Sequence, residues 1–319
     1  MAAAALTTTL TGLLWFVSKT PTPMFDTEVQ QLNLTTGTYN TVATLPASIE
    51  STIAVEAACA TSSTFVLSMQ QTANLTEGYI ASIDLATHKI VSQHNISVVC
   101  NSIHCVDDST VVCASLSSSD TSGGLSLSRV NTKTGKVTPV GSTFGPGLDV
   151  SRIYAWNNKA NQVTTLMATP PSAPKSHLYL ATVDFDQGKM LGNASIQYQI
   201  NSPLLQSLAY DNSIDALVGT AFVIKTPKDV SAFGRLSLVG KNMSKVEWET
   251  VGNGSVLKTM RQLNSVATSF NGVYYSTAFI GQGNNPIQVL LAIDVKTGDV
   301  VRVFDCPQVG MIDIVGVVV

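Results

Sequence analysis

LLAIDVKTGDVVRVF, residues Leu290 to Phe304, consists of two β-rich runs joined by the turn Lys296-Thr297-Gly298-Asp299. Two such runs around a Gly-containing turn are the signature of a β-hairpin. Related stretches recur: LNLTTGTYNTV from Leu32, IDLATHKIVSQ from Ile83, VNTKTGKVTPV from Val130, VDFDQGKMLGN from Val183 and a degenerate LVGKNMSKVEWETV from Leu238. Aligned on Gly37, His88, Gly135, Gly188, Ser244 and Gly298, the copies lie 51, 47, 53, 56 and 54 residues apart. That period is too long for a hairpin alone and fits a four-stranded β-propeller blade with its loops, roughly 40 to 50 residues. The pattern predicts an all-β fold, a six-bladed β-propeller of four-stranded antiparallel blades, with residues 1–319 as a single domain.

One strand order runs through the repeats. Ile53 to Ala60, Thr64 to Met69, Tyr79 to Leu85 and Lys89 to His94 form the second unit, and Leu204 to Tyr210, Ala216 to Val223, Gly234 to Gly240 and Lys245 to Val251 form the fifth. The first unit lacks a clear inner strand, while the chain ends in the apolar run Met311 to Val319. This run is expected to supply the missing strand and close the ring, which would leave no long sheet edge open. The competing arrangement places Ala2 to Leu10 there and begins a truncated seventh blade with the tail. Gly12 to Val17 aligns with Thr64 to Leu67 and reads as a strand; no basic residue precedes it and Thr7 to Thr9 interrupt the apolar stretch, unlike a secretory signal peptide.

Composition narrows the partners. Hydrophobic residues make up 45% of the chain and charged residues only 12%, with a net charge of -3, too little charge for a nucleic-acid or anionic-membrane surface. No run of about 18 apolar residues occurs, so no membrane span is expected. Val, Ile, Thr and Tyr fall in short runs and 3.6-residue periodicity is scarce, which favours strands. A monomer with a small polar ligand or a protein or peptide partner is expected.

The turns carry a family resemblance. Asp294-Val295-Lys296-Thr297-Gly298 and Asn131-Thr132-Lys133-Thr134-Gly135 resemble the Asp-x-x-Thr-Gly turn of the YVTN-like and PQQ-like propeller repeats, within the wider WD40-like class, loosely in all six copies and well in these two. The resemblance implies a fold, and that fold hosts binding proteins and enzymes alike. Quinoprotein repeats place Trp a few residues after the turn Gly; here Val303 and Val140 stand in those regions, so no quinone and no other cofactor is expected.

Local catalytic motifs are missing: the chain has no G-x-x-x-x-G-K-[ST], G-x-S-x-G, H-E-x-x-H or paired C-x-x-C. Cys100-Asn101-Ser102-Ile103-His104-Cys105 is the nearest approach to a metal cluster, but strand alternation directs Cys100 and Cys105 apart, so no metal site and no Cys100–Cys105 bond is expected. Asp107-Asp108 and Asp211 with Asp215 read as turn residues bonded to their own backbone. Trp15, Trp156 and Trp248 occupy no common repeat position and read as packing residues. Five cysteines suit either redox compartment, whereas six Asn-x-Ser/Thr sequons, at Asn33, Asn74, Asn95, Asn193, Asn242 and Asn253, together with the low charge lean toward a secreted or cell-surface eukaryotic protein.

Loops entering the inner strands would converge on the mouth of a central channel. They offer Glu50, Asn101, Arg152, Gln206, Arg261 and Asp313, and the Arg152 and Arg261 guanidiniums are fork-shaped donors for a carboxylate. No residue is assigned a catalytic role. The sequence therefore points to a non-enzymatic ligand-binding or protein-interaction propeller, and in second place to a propeller-type enzyme, a metal-assisted lactonase or hydrolase or a glycan-processing protein, with its site at the channel mouth.

Overall fold

The computed structural model of the protein describes residues 8–17, 25–44, 53–71, 77–116, 124–144, 148–169, 178–196, 203–223, 230–252, 262–280, 287–306 and 310–318. In chain order the strands are β1 (Thr8–Val17), β2 (Phe25–Asn33), β3 (Tyr39–Thr44), β4 (Ile53–Ala60), β5 (Thr64–Gln71), β6 (Gly78–Asp84), β7 (Lys89–Ile96), β8 (Ser102–Asp107), β9 (Thr110–Leu116), β10 (Leu125–Asn131), β11 (Val137–Phe144) and β12 (Leu148–Asn157). They continue with β13 (Gln162–Ala168), β14 (Leu178–Asp184), β15 (Lys189–Ile196), β16 (Pro203–Asp211), β17 (Ala216–Val223), β18 (Val230–Val239), β19 (Lys245–Thr250), β20 (Gln262–Phe270), β21 (Val273–Ile280), β22 (Ile287–Asp294), β23 (Val300–Asp305) and β24 (Gly310–Val318). A short 3-10 turn, Lys241–Met243, precedes β19. The all-β character is as the short β-branched runs require.

The expected six separate four-stranded blades need correction. The described strands form five sheets: β24-β1-β2-β3, β4-β5-β6-β7, β11-β10-β9-β8, β20-β21-β22-β23 and an eight-stranded sheet β12-β13-β14-β15-β19-β18-β17-β16. The eight-stranded sheet arises because Ser195 of β15 pairs in parallel with Lys245 of β19. Gly192 permits the approach, since a Cβ there would lie 2.5 Å from the Met243 Cβ and 2.8 Å from the Asn242 carbonyl oxygen. By its contacts the chain divides into two compact units, Met1–Cys113 with Arg129–Thr138 and Gln308–Val319, and Ala114–Ser128 with Pro139–Pro307. The C-terminal run does pair antiparallel with β1, from Thr8↔Val318 to Trp15↔Gly310.

The repeated hairpin turn has one mechanism. Asp294 Oδ1 accepts the backbone N–H groups of Lys296 and Thr297, both at 2.9 Å, and Gly298 N–H returns to the Asp294 carbonyl at 2.8 Å. Asn33, Asp84, Asn131 and Asp184 cap their own turns in the same way, the local bonding that makes Asp and Asn turn formers. These bonds, first that from the Thr297 backbone, hold the Asp294 carboxyl below the usual carboxylate range. Gly298 closes the turn at φ 71° and lies against Val251, whose carbonyl oxygen would be 2.2 Å from a Cβ at that position.

Packing follows strand alternation. In the first unit Phe65, Leu67 and Met69 enter a cluster with Val29, Val42 and Ile83, while Val66 and Ile80 join Ala57, Ile103, Val111 and Val130. β5 is therefore covered on both faces. In the second unit Ile153, Leu166, Leu180, Leu205, Leu208 and Leu236 form one cluster, and Val218, Phe233, Tyr274, Val289, Leu291 and Ile293 form another. Outer strands are covered on one side only, so β7 alternates between exposed and partly buried residues.

Cys59 is bonded to Cys105 and Cys100 to Cys113. As expected, Cys100 and Cys105 are not joined to each other; each finds its partner on a neighbouring strand, within the first unit.

Candidate functional site

In the second unit β16 packs beside both β12 and β20, which sets side by side the edge strands of three successive repeats. All three have an interrupted ladder. On β12 the pairing jumps from Asp149↔Met167 to Tyr154↔Thr165, on β16 from Leu205↔Ala221 to Ser207↔Thr220, and on β20 from Leu263↔Ala278 to Ala267↔Ser276. An extra residue cannot enter a ladder, so the strand bends and its backbone groups turn outward there.

Each interruption has a buried side-chain polar atom without a hydrogen-bond partner. Gln206 is the bulged residue of β16, and its Oε1 is buried and unpaired. Thr165 Oγ1 lies across from Tyr154 at the end of the β12 interruption, and Thr277 Oγ1 lies on β21 opposite the break in β20. Burying such an atom unpaired costs about 1–3 kcal/mol.

A hydroxyl network adjoins the β16 bulge. Ser207 Oγ, fully buried, bonds the Tyr274 hydroxyl at 2.6 Å and the Ser276 hydroxyl at 3.5 Å, and also bonds Thr220 Oγ1. Burial pushes the Tyr274 hydroxyl up to about 12, so it stays protonated. At the end of β16, Asp211 accepts the Ser213 N–H at 2.9 Å, the Ser213 hydroxyl at 2.5 Å and the Ser269 hydroxyl at 2.5 Å. That is the turn-capping role expected of it, extended across to β20. Asp215 accepts from Tyr210 and faces Lys159 at 4.0 Å on the exposed surface; burial, aided by Asp215, pushes the Tyr210 hydroxyl to about 12. These two carboxylates tie turns together and do not form an acid–base pair.

Of the six residues expected at a single channel mouth, the described ones fall in both units. Asn101, half-buried just before β8, and Asp313, on β24 opposite Leu13, belong to the first unit. Gln206 and Arg152 belong to the second, Arg152 within the interrupted stretch of β12. The side chains of Arg152 and Asp313, and Glu50 and Arg261 entirely, lie outside the described residues; by sequence Arg261 immediately precedes β20. Sequence reasoning missed Thr165, Ser207 and Thr277. Their signal was a hydroxyl in an apolar strand, as in Val273-Tyr274-Tyr275-Ser276-Thr277. Among the described residues no group of three or more His, Cys, Asp or Glu could hold a metal ion, and no helix is long and apolar enough to cross a membrane.

No protein-family model matches this chain. No curated protein matches it either. Among solved structures it is similar to one from a study of two prolyl endopeptidases, at 12% identity over 96% of this chain and 43% of that chain with a TM-score of 0.44. An acylaminoacyl peptidase bound to a chloromethyl ketone matches at 11% identity over 81% and 46%, with a TM-score of 0.46. A luciferin-regenerating enzyme matches at 13% over 84% and 83%, with a TM-score of 0.45. The chain thus spans less than half the length of the peptidase structures it matches. Two expectations find no support in these comparisons. The resemblance to YVTN-like and PQQ-like or WD40-like repeats is not upheld: no family model matches, and the hairpin turn that suggested it is a local hydrogen-bonding solution that any β-hairpin can adopt. The expected non-enzymatic binding module likewise finds no counterpart among these structures, which come from peptidases and a luciferin-regenerating enzyme. With identities of 11–13% and TM-scores of 0.44–0.46, the likeness itself assigns no activity to this chain.

Proposed function

We propose that the chain is a hydrolytic enzyme acting on a small polar substrate held along β12, β16 and β20 of the second unit. The observation that carries this reading is the buried, unpaired Oε1 of Gln206 at the β16 bulge. Bulges are over-represented beside active sites, and a buried polar atom left without a partner calls for an explanation, of which a ligand or a reaction is one. A donor group on the substrate, an amide N–H or a hydroxyl, would satisfy that oxygen. Arg152, on the neighbouring interrupted strand, and Arg261, just before β20, are proposed to bind a carboxylate on the same substrate, because the guanidinium fork matches its two oxygens.

The reading is tested on a panel of lactones, aryl esters, glycosides and short peptides, assayed with and without added divalent ions. Gln206→Leu removes the orphan oxygen at similar volume. It is expected to leave stability unchanged or raise it by about 1 kcal/mol, while lowering kcat/KM roughly 10- to 100-fold on the substrate found. A loss of stability with activity intact would assign Gln206 to the scaffold. Failure to turn over any member of the panel, with or without metal, would sink the enzymatic reading.

A further inference from the structure

We propose that Asn95, Asn193 and Asn242 are N-glycosylation acceptors, so that the outer strands of this protein carry oligosaccharide. Each opens an Asn-x-Ser sequon, and the backbone presents each one outward. On β7, Asn95 and Ser97 are exposed while Ile96 between them is buried; on β15, Asn193 and Ser195 are exposed while Ala194 is buried. Period-two alternation thus sets the acceptor amide and its sequon hydroxyl on the same solvent face. Asn242 lies in the exposed 3-10 turn before β19, at φ 56°, with Ser244 also exposed. A sugar at any of these positions displaces no core residue. Asn33 contrasts with them: it is half-buried, and its Oδ1 accepts the Thr35 and Thr36 N–H groups at 2.9 and 3.0 Å.

The disulfides point independently to the compartment in which this chemistry occurs. Cys59–Cys105 and Cys100–Cys113 engage four buried cysteines, and such bonds persist in an oxidising secretory lumen, not in a reducing cytosol. The donor is a polyprenyl diphosphate-linked oligosaccharide. The asparagine carboxamide nitrogen forms a bond to C1 of its first sugar as the C1–oxygen bond to the diphosphate breaks; the lipid diphosphate departs and the nitrogen loses one proton to water. Asn193 and Asn242 flank the same seam, where Gly192 meets the Asn242 carbonyl, so two of the sugars would screen the junction of β15 and β19.

The chain is produced behind a secretory leader in a eukaryotic cell, and the medium and the total cell extract are both treated with peptide-N-glycosidase in heavy-oxygen water. The expected result is a gain in mobility on digestion, with the heavy label at positions 95, 193 and 242. Ser97→Ala, Ser195→Ala and Ser244→Ala should each remove one mobility step while keeping the asparagine. Protein that carries both disulfides by non-reducing peptide mapping, yet shows no shift in either fraction, overturns the proposal. Label confined to other asparagines overturns the assignment of these three.

Discussion

Replacing Gly298 by Ala tests whether the repeated hairpin turn sets the spacing between sheets. Gly298 has φ 71°, where an L-residue costs roughly 1–2 kcal/mol, offset by about 0.4–1 kcal/mol from the stiffer unfolded chain. Backbone conformation alone thus predicts a loss near 1 kcal/mol. The new Cβ would also lie 2.2 Å from the Val251 carbonyl oxygen and 2.6 Å from its carbonyl carbon. Both are backbone atoms of the residue just after β19 and have no rotamer through which to withdraw. Overpacking of this kind adds about 1–3 kcal/mol, so Gly298→Ala should cost about 2–4 kcal/mol in total. Gly240→Ala is the control: its φ is 84°, but its Cβ would meet only the Ser244 hydroxyl, at 3.1 Å. That variant should lose about 1 kcal/mol. Guanidinium unfolding followed by tryptophan fluorescence, with m held common, reads both. If the two variants agree within about 0.5 kcal/mol, the turn does not press on Val251 and the docking argument fails.

His104 should make stability fall in mild acid. Burial holds its imidazole down to about 4, against an ordinary value of about 6.5. Between those pH values the unfolded chain binds a proton that the folded chain excludes, so the stabilisation is complete above about pH 6.5 and declines toward pH 4 by about 3 kcal/mol. Denaturation midpoints across that window should slope for the native protein and flatten for His104→Gln; identical slopes would remove His104 from the explanation. The disulfides close loops of 46 and 13 residues, for which chain entropy alone predicts losses of about 4 and about 3 kcal/mol on reduction. Non-reducing peptide maps should show Cys59 linked to Cys105 and Cys100 to Cys113, and any Cys100–Cys105 peptide would contradict the strand positions around β8.

The candidate site was only partly legible. Arg152 and Gln206 were read as residues of loops entering inner strands at a channel mouth; they lie instead within β12 and β16, strands that pack against each other in the second unit. The orphan atoms of Thr165 and Thr277 were not picked. A hydroxyl in a strand says nothing of whether it will be paired until the opposite strand's register is known, and here that register jumps beside both of them. The cysteine pairing shows the same division. Alternation could separate Cys100 from Cys105, but choosing Cys59 and Cys113 as partners required knowing which strands become neighbours.

What the sequence determined by itself was local. The Asp/Asn-x-x-x-Gly turns, the short β-branched runs and their 47- to 56-residue spacing specify hairpins and strands, because those depend on bonds within a few residues. The C-terminal run's place beside β1 could also be read, since an apolar strand must find an edge and one was missing. Only the tertiary structure decided how sheets join. The Ser195↔Lys245 bridge converts two four-stranded stacks into one eight-stranded sheet, and it depends on a side-chain-free Gly192 meeting Met243, residues 51 positions apart. The division into two compact units and the three interrupted ladders beside one another are likewise long-range outcomes. A repeat period counts the modules of a chain, but the edges those modules share are settled by which backbones can come close enough to pair.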